Sequence, residues 1–84
     1  MNSKVLIMVY VPMIERDYNI YIPISKKVGT VKNLILKVVE ENSDGTFEND
    51  GTKFLYDKLT GEKIDDNLFV KFSTIKNGSK LILY

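Results

Sequence analysis

The sequence predicts an α+β fold in the order strand, strand, helix, strand, short strand, strand. Three observations predict it. Lys4 to Val11 and Tyr18 to Ile24 are rich in Val, Ile and Tyr, and the second alternates Tyr18, Ile20, Ile22 and Ile24 against Asn19, Tyr21 and Pro23. A later stretch places Val31, Leu34, Ile35, Val38 and Val39 at the spacing of one helical face. Asn77-Gly78, a strong turn signal, directly precedes a last strand from Lys80 to Tyr84.

Each element has its own justification. Pro12 to Asp17 is a short polar connection suited to an antiparallel hairpin, and Pro23, which has no amide hydrogen for a ladder, makes the second strand an edge or bulged strand there. Gly29 and Thr30 interrupt the alternation. Thr30 is the expected helix N-cap, Leu34 and Val38 the expected anchors to the sheet, and Lys32, Lys37, Glu40 and Glu41 the wet face. Asn42, Ser43, Asp44 and Gly45 stop the helix. Asp44 to Gly51 is an acidic loop whose single aromatic, Phe47, is expected to tuck under the helix end. Thr52 to Tyr56 reads as a third strand, Asp57 to Gly61 as a turn and Glu62 to Ile64 as a short fourth strand. Asp65, Asp66 and Asn67 turn again, and Leu68, Val70, Phe72 and Ile75 supply apolar contacts across an irregular crossover. No repeat, linker or low-complexity tract appears, so residues 1–84 are read as one domain.

Composition narrows the function. The 84 residues contain no cysteine, histidine or tryptophan, which excludes disulfides, thiolate or imidazole metal sites, and Cys-His or Ser-His catalysis. No catalytic residue, metal or cofactor is expected. Twelve basic and eleven acidic residues leave a net charge of +1, without the overall positive field of most nucleic-acid binders. The apolar run Val5 to Val11 is too short to cross a bilayer as a helix, and Glu15, Arg16 and Asp17 stand where a secretory signal would need a small-residue cleavage site. A cytoplasmic protein without membrane insertion is expected. Alanine is absent and arginine occurs once among many Lys, Ile and Asn, as in an AT-rich bacterial genome.

The element order is that of the ubiquitin-like β-grasp, and the resemblance covers nearly the whole chain from Lys4. Ile64, Asp66, Val70, Ile75, Leu81 and Leu83 resemble ubiquitin's short-strand leucine, acidic turn, crossover isoleucine and alternating terminal leucines. Thr30-Val31 with Leu34 and Val38 resembles the ubiquitin helix start. The resemblance implies a mixed sheet of four to five strands wrapped around one helix. Modifiers and sulfur carriers of that fold need a flexible tail ending in Gly-Gly, whereas this sequence ends Ile82-Leu83-Tyr84, so conjugation is not expected, the alternative being a modifier or sulfur carrier with a lost tail. In length, in a tyrosine-containing second strand leading through a proline to the helix, and in a short tail after Asn-Gly, the chain resembles the YukD/EsaB family of type VII (WXG100) secretion systems. That likeness implies a non-catalytic cytosolic regulator or assembly factor with a secretion-system component as protein partner.

A candidate site follows from period-2 geometry. If Val5, Ile7, Val9, Ile20, Ile22, Leu81 and Leu83 face the helix, then Leu6, Met8, Tyr10, Tyr21, Ile82 and Tyr84 face outward, with Phe54 and Tyr56, or the alternate Leu55, extending them; the inverse parity, with Val5, Ile7 and Val9 outward on the first strand, is the alternative. So apolar an exterior suits a protein partner, and weak self-association of an otherwise monomeric chain. Other clusters have plainer readings. Asp44, Glu48 and Asp50 lack the spacing of an EF-hand ladder and read as a solvated loop. Asp65 and Asp66 read as turn acids, not as an acid-base pair. Lys26, Lys27 and Lys32 at the helix start could meet phosphate or RNA, but read as a wet rim.

Overall fold

The computed structural model describes residues 3–84. Strand β1 spans Lys4–Val11, β2 Arg16–Pro23, helix α1 Val28–Asn42, β3 Leu55–Asp57 and β4 Lys80–Leu83, with a 3-10 turn at Val70–Phe72. The sheet order is β2-β1-β4-β3. β1 pairs antiparallel with β2 and parallel with β4, and β4 pairs antiparallel with β3, so the sheet is mixed and β2 is an edge, as Pro23 requires. The parallel pairing begins at the Asn77-Gly78 turn. There Leu6 N donates to Asn77 Oδ1 at 2.8 Å and Gly78 N donates to Leu6 O at 2.7 Å. Gly78 has φ of 88°, which a residue with a Cβ rarely adopts.

Of the two parities open to the first strand, the structure has the one with Ile7 and Val9 inward. Ile7, Val9 and Val11 of β1, Ile22 of β2, Leu55 of β3 and Leu81 and Leu83 of β4 are buried beneath α1 in one core with Val28, Val31, Ile35 and Val39. Phe47 is also buried, its amide donating to Ser43 Oγ at 3.1 Å, so it closes the helix end as the sequence suggested. Ile64, Val70 and Ile75 complete the core from the crossover.

Several expectations need correction. The helix starts at Val28, not after Thr30: Lys27 occupies the N-cap position without a capping side chain, and the first amides bond elsewhere. Val28 N donates to Leu68 O and Gly29 N to Asp66 O, so the crossover backbone does what a capping hydroxyl would have done. The helix face is rotated. Leu34 is 50% exposed and Leu36 only 4%, because entering at Val28 turns the Val28, Val31, Ile35, Val39 line inward and carries Leu36 with it. Val38 is only half-buried.

The sheet has four strands among the described residues, without the short strand at Glu62 to Ile64. Ile64 N still donates to Leu55 O and Lys63 makes an isolated bridge to Tyr56, too few pairings for a strand. β3 runs Leu55–Asp57 instead of Thr52 to Tyr56, although Phe54 and Tyr84 exchange both backbone hydrogen bonds. Of the four crossover apolar residues, only Val70 and Ile75 are buried. Leu68 and Phe72 lie at the surface because the tight 3-10 turn can aim only one side of itself at the core.

Candidate functional site

The outer sheet face collects side chains in rows across the strands, since directly paired residues share a face. Leu6 pairs with Tyr21, and Met8 lies between Asn19 and Lys80. Tyr10 lies between Asp17 and Ile82, and Ile82 pairs in turn with Tyr56. Tyr84 follows at the end of this face, with its ring edge-on to Tyr56 at 6.3 Å between centroids. Tyr21 and Tyr84 are the most open of the six expected residues, at 68% and 69% exposure. Met8 is exposed, while Leu6, Tyr10 and Ile82 are half-buried by their neighbours. Tyr10, Ile82, Tyr56 and Tyr84 therefore make a contiguous apolar-aromatic centre, with Met8, Leu6 and Tyr21 extending it towards β2.

Tyr56 was readable only as one of two alternatives, because a short irregular segment carries no alternation long enough to set its parity. Its pairing opposite Ile82 places it outward and Leu55 inward. Phe54, its neighbour by two, leaves the flat face. Its ring lies 3.6 Å from Lys63 Nζ and 4.5 Å from Lys32 Nζ, measured to the centroid, so it wraps the sheet edge towards the helix.

Lysines rim the aromatic centre. Lys58 Nζ lies 5.2 Å from the Tyr10 ring centroid, and Lys58 N donates to Lys80 O, which sets both lysines beside Met8 and Tyr10. Asp17 and Asn19 close the opposite side of the shallow depression lined by Met8, Tyr10, Lys58 and Lys80. An apolar middle with a charged, hydrated rim is the arrangement found at protein-protein contact surfaces.

The remaining clusters have structural employment. Asp66 Oδ2 accepts from Lys32 Nζ at 2.7 Å, and Asp65 Oδ1 accepts from Asn67 N at 2.8 Å, so one acid secures the helix start and the other shapes a turn. Lys32 is thereby drawn away from Lys26 and Lys27. In the acidic loop, the Thr52 hydroxyl and amide donate to Asp50 Oδ1 and hold its carboxyl below the ordinary aspartate range, with Lys53 helping. Among the described residues no three acids gather as they would around a metal ion, and no helix is long and apolar enough to cross a membrane.

No protein-family model and no curated protein matches this sequence. Among solved structures it is similar to the EccD5 ubiquitin-like domain from Mycobacterium xenopi, with TM-score 0.80 and 15% identity over 99% of this chain and 94% of that one. It is similar to a chain of the MycP5-free ESX-5 inner membrane complex, with TM-score 0.81 and 15% identity over 99% of this chain. The match spans 21% of that longer polypeptide. Caldiarchaeum subterraneum ubiquitin also aligns, with TM-score 0.65 and 18% identity over 95% of this chain and 90% of that one. At such identities the likeness is one of fold.

Proposed function

From the premise that this chain is a ubiquitin-like β-grasp domain, we propose that it is a non-catalytic protein-interaction module whose contact surface is the outer sheet face. The carrying observation is the aromatic centre of Tyr10, Tyr56, Ile82 and Tyr84, left open on the side of the sheet away from α1 and rimmed by Lys58 and Lys80. Tyrosines offer wide contact with few rotatable bonds, which suits a binding surface. The partner in this reading is a component of a type VII (WXG100) secretion system, and the protein acts in the cytoplasm as a YukD/EsaB-like accessory. The likeness in fold to the EccD5 domain and to the ESX-5 chain supports that assignment. Leu83 is buried and Tyr84 exchanges both backbone hydrogen bonds with Phe54, so the sheet holds the aromatic centre in place up to Tyr84.

A photo-crosslinking residue placed at Tyr84, compared with one at Lys37 on the exposed helix face, tests this in the native host. Capture of a secretion-system component from position 84 alone is expected. Equal capture from both positions, or capture of an adenylating enzyme from position 84, would refute it. The gene neighbourhood offers an independent check, since genes for WXG100 substrates and their ATPase should flank this one.

A further inference from the structure

The turn around Val70 and the segment from Ile24 to Val28 lie far apart in sequence but are stapled together. Val28 N donates to Leu68 O at 2.8 Å, Val70 N to Lys26 O at 2.9 Å and Lys71 N to Ile24 O at 3.1 Å. Lys27 and Phe69 add an antiparallel bridge. With Val70 pointing inward as the anchor, Leu68, Phe69 and Phe72 are left in water, Phe72 at 71% exposure. The two phenyl rings meet edge to face, 6.3 Å between centroids. Lys71 Nζ lies 5.2 Å from the Phe72 centroid and Lys27 Nζ 5.9 Å from that of Phe69, with Lys26 beside them in sequence. Among the described residues, the ion pairs are Lys32 with Asp66 and Lys53 with Asp50, so Lys26, Lys27 and Lys71 have no acidic partner.

We propose that this corner docks the protein peripherally on an anionic lipid bilayer, with Phe69, Phe72 and Leu68 entering the headgroup region and Lys26, Lys27 and Lys71 meeting lipid phosphates. Charge complementarity selects the occupant. The ammonium groups of Lys27 and Lys71 stand against an exposed apolar tip and Lys26 is bonded to it through the backbone, the combination that favours interfacial binding to acidic membranes. The shape favours a lipid surface over other anions. Phe69 and Phe72 project from the corner, and only Leu68 borders a neighbouring depression, beside Ser73 and Thr74, so the two rings form a protruding tip. The rings stand 88° apart, so they offer no parallel platform on which successive bases could stack.

The charge distribution also orients the molecule. α1 runs 15 residues from this corner, or roughly 22 Å, and ends beside Glu40, Glu41, Asp44, Glu48 and Asp50. The basic end would face the membrane and the acidic end the solvent.

Co-sedimentation with phosphatidylcholine vesicles, with and without about 30 mol% phosphatidylglycerol, tests the proposal. The protein should bind the anionic vesicles alone and release as salt rises. Removing each lysine should cost about fivefold in partitioning, so Lys26→Glu, Lys27→Glu and Lys71→Glu together should reduce binding by about a hundredfold or more. Phe72→Trp should show a blue-shifted emission on the anionic vesicles, and Phe72→Ser should weaken binding while leaving the circular dichroism spectrum unchanged. Tyr56→Glu on the outer sheet face should bind vesicles like the wild type, so this result stands apart from the protein-partner reading. Vesicle binding that is absent, or equal for the wild type and the triple variant, overturns the proposal. So does binding of a single-stranded oligonucleotide or polyglutamate in place of vesicles.

Discussion

Truncating neighbouring residues of α1 separates two helix phases with one measurement. Ile35 is fully buried between the sheet and the crossover, whereas Leu34 beside it is half exposed. Ile35→Ala removes three carbon groups worth about 0.8 kcal/mol each and leaves a cavity, for a loss of about 2 to 5 kcal/mol. Leu34→Ala removes a similar side chain that is already half in water, and alanine is at least as good a helix former, so about 1 kcal/mol or less is expected. An 84-residue domain of ordinary stability holds about 4 to 12 kcal/mol, so the first loss is a large share of the total and the second is not. At about 4 to 8 °C per kcal/mol, Ile35→Ala should lower Tm by about 10 °C or more and Leu34→Ala by only a few degrees. Urea titrations followed by circular dichroism give both values, and an unchanged slope would show that the denatured state is not altered. A Leu34→Ala loss equal to that of Ile35→Ala would refute the packing described.

Three further outcomes follow from the geometry. A Cβ on Gly29 would stand 3.2 Å from the Asp66 carbonyl that accepts the Gly29 amide, so Gly29→Ala should lower Tm instead of giving the gain of about 1 kcal/mol usual for glycine to alanine in a helix. Asp50, depressed by its Thr52 hydrogen bonds, should titrate by NMR below an ordinary aspartate, and Thr52→Val should raise its pKa. Because the folded-state value is the lower one, any stability this carboxylate contributes is fully present above the unfolded aspartate pKa, constant around neutral pH, and disappears as pH falls through the folded value. Tyr10→Glu with Tyr84→Glu should keep the circular dichroism spectrum and a monomeric sedimentation profile while losing the crosslinked partner; unfolding of that double variant would show that the face is required as core.

The strands were legible in the sequence as alternating segments, but their parity was not: Leu6, Met8, Tyr10 and Ile82 are as apolar as Val5, Ile7, Val9 and Leu81, so either set could lie beneath a helix. Burial of Ile7, Val9, Leu81 and Leu83 in the folded chain decides the parity and places Leu6, Met8, Tyr10, Tyr21, Ile82 and Tyr84 outward. The helix phase was not legible. Leu34 and Leu36 are the same residue type on either side of Ile35, and the choice between them depends on where the chain enters the helix, which carbonyls of Asp66 and Leu68 determine from the far side of the fold. The outward parity of Tyr56 and the edge position of Phe54 likewise waited for the pairing with β4 and the approach of Lys32 and Lys63. Periodicity reports that an element has two distinct faces, so it set the strands, while the tertiary packing chose which face stays open. Which lysines meet which aromatic rings depends on backbone hydrogen bonds between distant segments, and these brought Lys26 and Lys27 to Phe69, Lys71 and Phe72 although nothing local in the chain links them.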